Sequence, residues 1–252
     1  MTQLWCKAIS VALSWLLYTG VQAESIAVAV ASNFAAPMKQ IASLFERQSG
    51  HHVALAFGAT GALYAQISNG APFDVLLAAD QHTPARLARE GLALGPTRFT
   101  YAVGKLVLWS ARPGLVDGAG DVLRRAQFKH LALAAPALAP YGAAAQQSMR
   151  SLGLLETLRP KFVIGQSIGQ TYSFVATGNA ELGFVALSQV VENGALREGS
   201  LWMVPEHLYE ALRQDAILLA PGRDKAAARA LLTFLKTPAS QAVLHSFGYD
   251  SD

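Results

Sequence analysis

Small uncharged polar residues stand at four points where an apolar, strand-like run gives way to a helical pattern. These four loops are Ser32-Asn33, Ala59-Thr60-Gly61, Pro140-Tyr141-Gly142 and Ser167-Ile168-Gly169. The first backbone N–H groups of an α-helix have no partner inside the helix, and the helix dipole places partial positive charge there. A helix start can therefore hold an anion without a lysine or an arginine. The pattern predicts that neutral donors bind an anion.

Two successive series of strands and helices carry these loops. In the first series we predict strands at Ile26–Ala31, Val53–Phe57 and Val75–Ala78, with helices at Phe34–Gln48, Ala62–Ser68 and Pro84–Glu90. After a strand at Lys105–Ser110, the second has strands at Leu131–Ala134, Phe162–Ile164 and Leu182–Ala186, with helices at Tyr141–Leu152 and Ile168–Thr177. Strands at Leu201–Val204 and Ala216–Ala220 and helices at Asp224–Lys236 and Pro238–Phe247 follow. Continuously apolar strands are typical of parallel sheets buried on both faces, so we expect an α/β fold with two lobes.

Each of the four loops follows the carboxyl end of a predicted strand, where open α/β sheets bind their ligands. Two loops belong to the first series and two to the second, so a cleft between lobes would bring all four together. Two plainer interpretations remain open. Ser32 can be only a helix N-cap, and the other loops can be ordinary turns, which also favour Gly, Pro and Ser.

The composition narrows the class of protein. The chain has 252 residues, of which 52% are hydrophobic and 15% charged, with a net charge of +3. It can build a large core, either as one domain or as two lobes. The absence of a basic run disfavours nucleic-acid binding. The only cysteine, Cys6, lies in the N-terminal segment, so the chain after residue 23 has no thiol nucleophile and no cysteine metal ligand.

Residues 1–23 have the layout of a secretory signal peptide. Lys7 is followed by the apolar segment Ala8–Leu17 and by the small-residue cleavage motif Val21-Gln22-Ala23. A retained membrane anchor is the alternative, although the apolar stretch is short for a span of ~20 residues. We therefore expect export to the periplasm and a mature chain that begins at Glu24.

The residue pattern does not favour an enzyme. The six histidines form no HxxxH or HExxH pair, and no GxSxG elbow surrounds Ser32. His51-His52 opens a strand, where neighbouring side chains point to opposite faces, and we predict this pair at the surface. Asp74 and Asp80 bracket a strand, and we interpret them as capping or turn residues rather than as a catalytic pair.

Four segments resemble one family, the periplasmic molybdate-binding proteins of ABC transporters. They read VAVASNFAAPM, FGATGALYAQISNGAPFDVLLAAD, APYG and ELGFVALSQ, and the resemblance covers essentially the whole mature chain. It implies a type II periplasmic binding protein with two lobes, each a mostly parallel sheet flanked by helices. The first lobe would comprise residues 24–102 and 207–252, and the second residues 103–206. The crossovers would fall near Ala102–Leu106 and Pro205–Gln214.

The resemblance also implies a ligand set. The matching oxyanion-binding positions are Ser32, Asn33, Thr60, Tyr141 and Ile168. Thr60 is a mild departure, since relatives often have Ser there. Some relatives also donate a tyrosine hydroxyl from a GxVYG stretch, but this chain has Ala186 at that tyrosine position. Molybdate would be held through its oxygens, with no direct metal ligand, no catalytic residue and no cofactor.

Molybdate or tungstate is the expected ligand, and the expected partner is a membrane permease with a cytoplasmic ATPase. The resemblance implies a monomer with no nucleic-acid partner. Sulfate and phosphate remain alternatives, whereas an amino-acid ligand would require charged partners that the four loops lack. Neutral donors favour a fully deprotonated anion, and cavity size would select against sulfate. A protonated oxyanion would also need a hydrogen-bond acceptor in the site, and the side-chain oxygen of Asn33 could provide one.

Overall fold

The computed structural model describes residues 23–250, so the predicted signal segment, apart from Ala23, lies outside the described residues. The strands are β1 Ser25–Ala31, β2 His52–Gly58, β3 Val75–Leu77, β4 Phe99–Gly104, β5 Leu106–Ser110, β6 Leu131–Ala134, β7 Phe162–Gly165, β8 Leu182–Ala186, β9 Val191–Glu192, β10 Ala195–Leu196, β11 Ser200–Met203 and β12 Leu212–Leu218. The helices are α1 Ala35–Ser49, α2 Thr60–Ser68, α3 His82–Arg89, α4 Val122–Arg125, α5 Pro140–Ser151, α6 Leu155–Leu158, α7 Ile168–Ala176, α8 Leu187–Val190, α9 Ala226–Phe234 and α10 Pro238–Ser246.

The first lobe is built on a five-stranded sheet with the order β2-β1-β3-β12-β4. Strand β12 pairs antiparallel with both neighbours, while β1 pairs parallel with β2 and β3. One face is covered by apolar side chains of α1, α9 and α10, and the other by those of α2 and α3. This double coverage explains why β1 is apolar along nearly its whole length.

The second lobe repeats this plan with the strand order β11-β5-β8-β6-β7. Here β5 is the strand that pairs antiparallel with both neighbours. Helices α4, α5 and α6 pack on one face, and α7 and α8 pack on the other. Each sheet therefore has one strand that runs opposite to the other four.

The chain passes between the sheets twice. It leaves the first sheet after Gly104 at the end of β4 and enters the second at Leu106, the start of β5. It returns between Met203, the end of β11, and Leu212, the start of β12. The two-lobed α/β fold predicted from the sequence is confirmed. No helix among residues 23–250 is both long enough and apolar enough to cross a membrane.

The structure differs from the predicted elements beside both passages between the sheets. Strand β4 was not predicted, and β12 begins at Leu212 rather than at Ala216. Both strands carry polar residues that interrupt the apolar pattern. These residues are paired inside the fold, since Thr100 Oγ1 lies 2.8 Å from Asp215 Oδ1.

The prediction that both His51 and His52 lie at the surface is wrong for His51. His51 is buried, its ring lies 6.1 Å from that of Phe45, and its Nδ1 accepts the Glu24 N–H. His52 is exposed, as the alternation of a strand requires. The partner of His51 comes from the chain segment before β1, which the local pattern does not indicate.

Candidate anion-binding site

A small pocket, called the cavity below, lies where the two lobes meet, and residues from all four predicted loops line it. It contains all five positions predicted as ligands. None of the lining residues is charged; they are Ala31, Ser32, Asn33, Gly58, Ala59, Thr60, Ala79, Ala139, Pro140, Tyr141 and Ile168. The structure therefore brings the predicted residues together. Their role as ligands stays a prediction.

Four helix starts point to this cavity from the carboxyl ends of strands. A 3₁₀ turn at Ser32–Phe34 leads into α1, and α2 begins at Thr60. Helix α5 begins with Pro140, a residue suited to the first helical position because it lacks the N–H that would otherwise be unpaired. Helix α7 is capped by Ser167, whose side chain accepts the Gln170 N–H.

No acidic residue occupies the first turn of any of these helices. Acidic side chains are common there because they neutralise the positive end of the dipole. Here the free N–H groups and the dipole have no built-in counter-charge, so the cavity favours an anion supplied from outside.

The Ser32 and Thr60 hydroxyls are each fixed by a backbone N–H donor. Ser32 Oγ accepts the Gly169 N–H at 3.1 Å, and Thr60 Oγ1 accepts the Ala79 N–H at 3.0 Å. Because these contacts use an oxygen lone pair, each hydroxyl keeps its proton to donate. Thr60 is also 1% exposed, so a donor there acts with little competition from water.

Asn33 lies in a buried polar network beside the cavity. Its Nδ2 donates to Gln214 Oε1 at 2.8 Å and to the Tyr249 hydroxyl at 2.9 Å. Its backbone oxygen accepts from Ser188 Oγ at 2.8 Å. Its own Oδ1 is buried with no hydrogen-bond partner among the described residues.

The side chains of Tyr141 and Ile168 have partners inside the fold, which leaves their backbone N–H groups as the candidate donors. The Tyr141 hydroxyl accepts from Gln214 Nε2 at 3.1 Å, so it belongs to the same buried network. Burial raises the pKa of Tyr141 well above its ordinary value, which keeps the phenol neutral. The Ile168 side chain packs in the second lobe's core. Both residues lie in the first turn of a helix, where the N–H groups lack intrahelical acceptors.

Further contacts hold the lobes closed around the cavity. The Gly61 N–H donates to the Leu138 carbonyl at 2.9 Å, from α2 of one lobe to the loop before α5 of the other. The Tyr249 hydroxyl lies 3.0 Å from Ser188 Oγ, again across the two lobes. The cavity is thus completed only when the lobes come together.

Four polar residues behind the cavity are not predicted from the sequence, namely Tyr101, Ser188, Gln214 and Tyr249. One signal was available: Gln214 and Asp215 are adjacent polar residues that follow Arg213 in a strand whose other residues are apolar. Such a pair predicts either a surface position or buried hydrogen-bond partners, and in the structure both residues are buried.

Neither Asp74 nor Asp80 lines the cavity or belongs to a metal site. Asp80 accepts the Thr83 N–H at 2.7 Å near the start of α3. Asp74 is buried, accepts the Ala27 N–H and pairs with Lys225 Nζ at 2.8 Å. Residues 23–250 contain no group of three or more His, Cys, Asp or Glu side chains that could hold a metal ion.

Comparisons with known proteins agree with the geometry. Residues 26–250 match the family of bacterial extracellular solute-binding proteins. The molybdate-binding protein ModA of Azotobacter vinelandii is 57% identical over 234 residues, which is 93% of either chain. The ModA of Rhodobacter capsulatus is 50% identical over 242 residues, covering 96% of this chain and 94% of that one.

The solved structure of the Azotobacter vinelandii periplasmic molybdate-binding protein superimposes on this one with a TM-score of 0.88 and 42% sequence identity. The match covers 90% of this chain and 99% of that chain. The similarity therefore extends over both lobes and the cavity between them.

Proposed function

This chain belongs to the bacterial extracellular solute-binding proteins, and we propose that it binds molybdate, and also tungstate, between its two lobes. One observation carries the proposal: a cavity at the meeting point of four helix starts is lined entirely by uncharged residues. The relatives at 57% and 50% identity carry the name molybdate-binding protein. The proposed ligand residues are Ser32, Asn33, Thr60, Tyr141 and Ile168.

Hydrogen bonding replaces hydration in the proposed complex. A buried dianion loses a large hydration free energy, which only a dense set of oriented donors can offset. A hydrogen bond to a charged group contributes about 1.5–3 kcal/mol net. A micromolar dissociation constant corresponds to a net binding free energy of about 8 kcal/mol. Several such hydrogen bonds together can supply this net amount after the costs of association and lobe closure are subtracted.

The donor set also explains selection among tetrahedral anions. Hydroxyls at Ser32 and Thr60 and N–H groups at the helix starts are suited to a ligand that only accepts. Sulfate has shorter bonds than molybdate, so in a cavity closed around the larger anion some donors would stay unpaired. Sulfate or phosphate binding is the alternative function, and it requires a different cavity size or an acceptor that faces the ligand.

The wider setting follows from the same proposal. The chain would act in the periplasm after removal of residues 1–23, as a monomer that delivers its anion to a membrane permease with a cytoplasmic ATPase. It would work by binding and release and would perform no catalysis. The proposed lobes, 24–102 with 207–252 and 103–206, agree with the sheet membership of β5, β11 and β12, whereas β4 extends the first sheet to Gly104.

Calorimetry on the mature chain, residues 24–252, tests the function directly. Titrations with molybdate, tungstate, sulfate and phosphate at equal ionic strength should give sub-micromolar binding for the first two and none that is comparable for the others. Equal affinities for sulfate and molybdate would contradict the size argument. No heat with molybdate or tungstate, in protein shown to be folded and free of bound metal by elemental analysis, would contradict the function itself.

A further inference from the structure

Gln214 is a buried polar residue that connects the two lobes directly behind the cavity. It lies in β12 with 0% exposure, and the pairing of β12 with β4 shifts register between Gln214 and Asp215. Irregularities of this kind redirect a side chain from the regular alternation of a strand. The redirected amide reaches Asn33 in the first lobe and Tyr141 in the second.

The backbone at Gly104 makes room for this connection. A Cβ atom added at position 104 would lie 2.1 Å from the Tyr141 hydroxyl and 2.5 Å from Gln214 Nε2. Gly104 ends β4, directly before the chain passes into the second lobe. The contact between Gln214 and Tyr141 therefore depends on a glycine at the passage between lobes.

A side-chain amide can place either its oxygen or its NH₂ group at one point, because a half-turn about its last bond exchanges them. With the Asn33 NH₂ turned toward Gln214, Asn33 Oδ1 is the buried atom that has no partner among the described residues. An amide oxygen in the position of Asn33 Oδ1 would be repelled by a bound dianion. The opposite orientation of the amide places the NH₂ donor in that position.

A half-turn of both amides leaves Asn33 with a paired oxygen. Gln214 Nε2 then donates to Asn33 Oδ1 across the same 2.8 Å contact, and the Tyr249 hydroxyl donates to that oxygen across 2.9 Å. Ser188 Oγ continues to donate to the Asn33 backbone oxygen. The NH₂ group of Asn33 takes the place of the unpaired oxygen and has hydrogens to donate to the anion.

The tyrosines around Gln214 can all serve this second orientation. The second hydrogen of Gln214 Nε2 goes to the Tyr101 hydroxyl, which donates its own proton to the Ala78 carbonyl at 3.1 Å. The Tyr141 hydroxyl donates to Gln214 Oε1 across 3.1 Å. Burial raises the pKa of Tyr101 and Tyr141 well above their ordinary value, so both hydroxyls keep the protons they must donate.

We propose that Gln214 is a positioning residue that turns the NH₂ end of Asn33 toward the bound anion, and that Tyr141 fixes Gln214 when the lobes close. The proposal rests on the proposed function, since it concerns the same cavity. It adds a basis for specificity: with Asn33 held as a donor, a protonated oxyanion such as hydrogen phosphate meets no acceptor. Lobe closure thus selects both the size and the protonation state of the ligand.

The substitution Gln214→Glu tests the role of the amide. A carboxylate only accepts, so Asn33 must turn its NH₂ group to Glu and its oxygen to the ligand. At about pH 8 molybdate and hydrogen phosphate are both dianions, so the added charge weakens both alike. The ratio of the phosphate to the molybdate dissociation constant therefore reports orientation, and we expect it to fall by about tenfold or more.

Two further variants complete the experiment. Gln147→Glu adds the same charge on α5, where position 147 accepts the Glu210 N–H at 3.0 Å, and it should keep the wild-type ratio. Tyr141→Phe removes only the hydroxyl that fixes Gln214 and should lower the ratio in the same direction as Gln214→Glu. It serves as the test if Gln214→Glu does not fold.

The outcomes separate the two proposals. If the wild-type protein does not bind molybdate, the proposed function fails. If the wild type binds molybdate but both Gln214→Glu and Tyr141→Phe keep its phosphate-to-molybdate ratio, the role assigned to Gln214 is wrong and the function stands. A purely structural role would lower the melting temperature of these variants without changing the ratio.

Discussion

Ser32 Oγ lies 3.1 Å from the backbone nitrogen of Gly169, and this hydrogen bond joins the end of β1 in one lobe to the first turn of α7 in the other. The approach is close, since a Cβ atom added at Gly169 would lie 3.2 Å from the Ser32 Cβ. One hydroxyl therefore takes part in lobe closure and lines the cavity. Thr60 and Gly61 divide the same two roles between adjacent residues. Thr60 lines the cavity, and the Gly61 N–H donates to Leu138 of the opposite lobe.

Replacing Ser32 by Ala should weaken molybdate binding by about ten- to a hundredfold, because a hydrogen bond to a charged group contributes about 1.5–3 kcal/mol. Isothermal titration calorimetry provides the measurement. Ser43→Ala, at an exposed position on α1, serves as the control and should bind as the wild type does. An unchanged affinity in Ser32→Ala would show that the hydroxyl acts only as a cap.

Thr60→Val should weaken molybdate binding by at least about tenfold, because it removes the hydroxyl at nearly constant volume. It should also lower the stability of the ligand-free protein by about 1–3 kcal/mol, since the buried Ala79 N–H loses its acceptor. Thr60→Ser keeps the hydroxyl and should retain most of the affinity. Calorimetry and urea unfolding measure the two effects separately, and equal binding by Val and Ser variants would contradict the assignment.

Gly61→Ala should impair closure of the lobes. The added methyl group would lie 3.2 Å from both the Cα and the carbonyl oxygen of Leu138, against backbone that the Gly61 N–H must approach to bond. We expect lower molybdate affinity and a smaller decrease in the radius of gyration on ligand addition, measured by small-angle X-ray scattering. Gly118→Ala, which has open space around it, is the matched control. A wild-type decrease in Gly61→Ala would contradict this role.

Stability should fall as the pH rises from about 10 to 12. Burial raises the pKa of Tyr249 from its ordinary value to about 12 in the folded protein, whereas an unfolded tyrosine loses its proton near pH 10. Above pH 10 the unfolded chain therefore binds fewer protons than the folded one, and stability decreases with pH. The contribution of Tyr249 is fully present below pH 10 and amounts to roughly 3 kcal/mol.

Melting temperatures measured between pH 8 and 12 check this prediction. Tyr249→Phe should show a shallower decline than the wild type over the upper part of that range. Its stability at neutral pH should also be lower, since Asn33 and Ser188 each lose a partner. A decline as steep as that of the wild type would mean that Tyr249 does not set it.

Much of the candidate site could be predicted from the sequence because the residues that line the cavity belong to local structure. Whether Ser32, Thr60, Pro140 and Ile168 begin helices depends on the few residues around each of them, and the structure places each at or before a helix start. The lack of charge in the four loops is likewise visible in the sequence. The prediction of a two-lobed α/β fold followed from the alternation of apolar strands with helices, which burial on both faces of a sheet requires.

The residue pattern alone thus indicated the helix starts, the lack of charge in the four loops and the class of fold. The folded structure was needed to show how Asn33 is held, because its partners Gln214 and Tyr249 are 181 and 216 residues away along the chain. It was also needed to show that the Tyr141 hydroxyl contacts Gln214, since that contact depends on the space left by Gly104. This difference arises because neighbouring residues determine helix starts and caps, whereas the packing of distant elements determines the partners of a buried side chain.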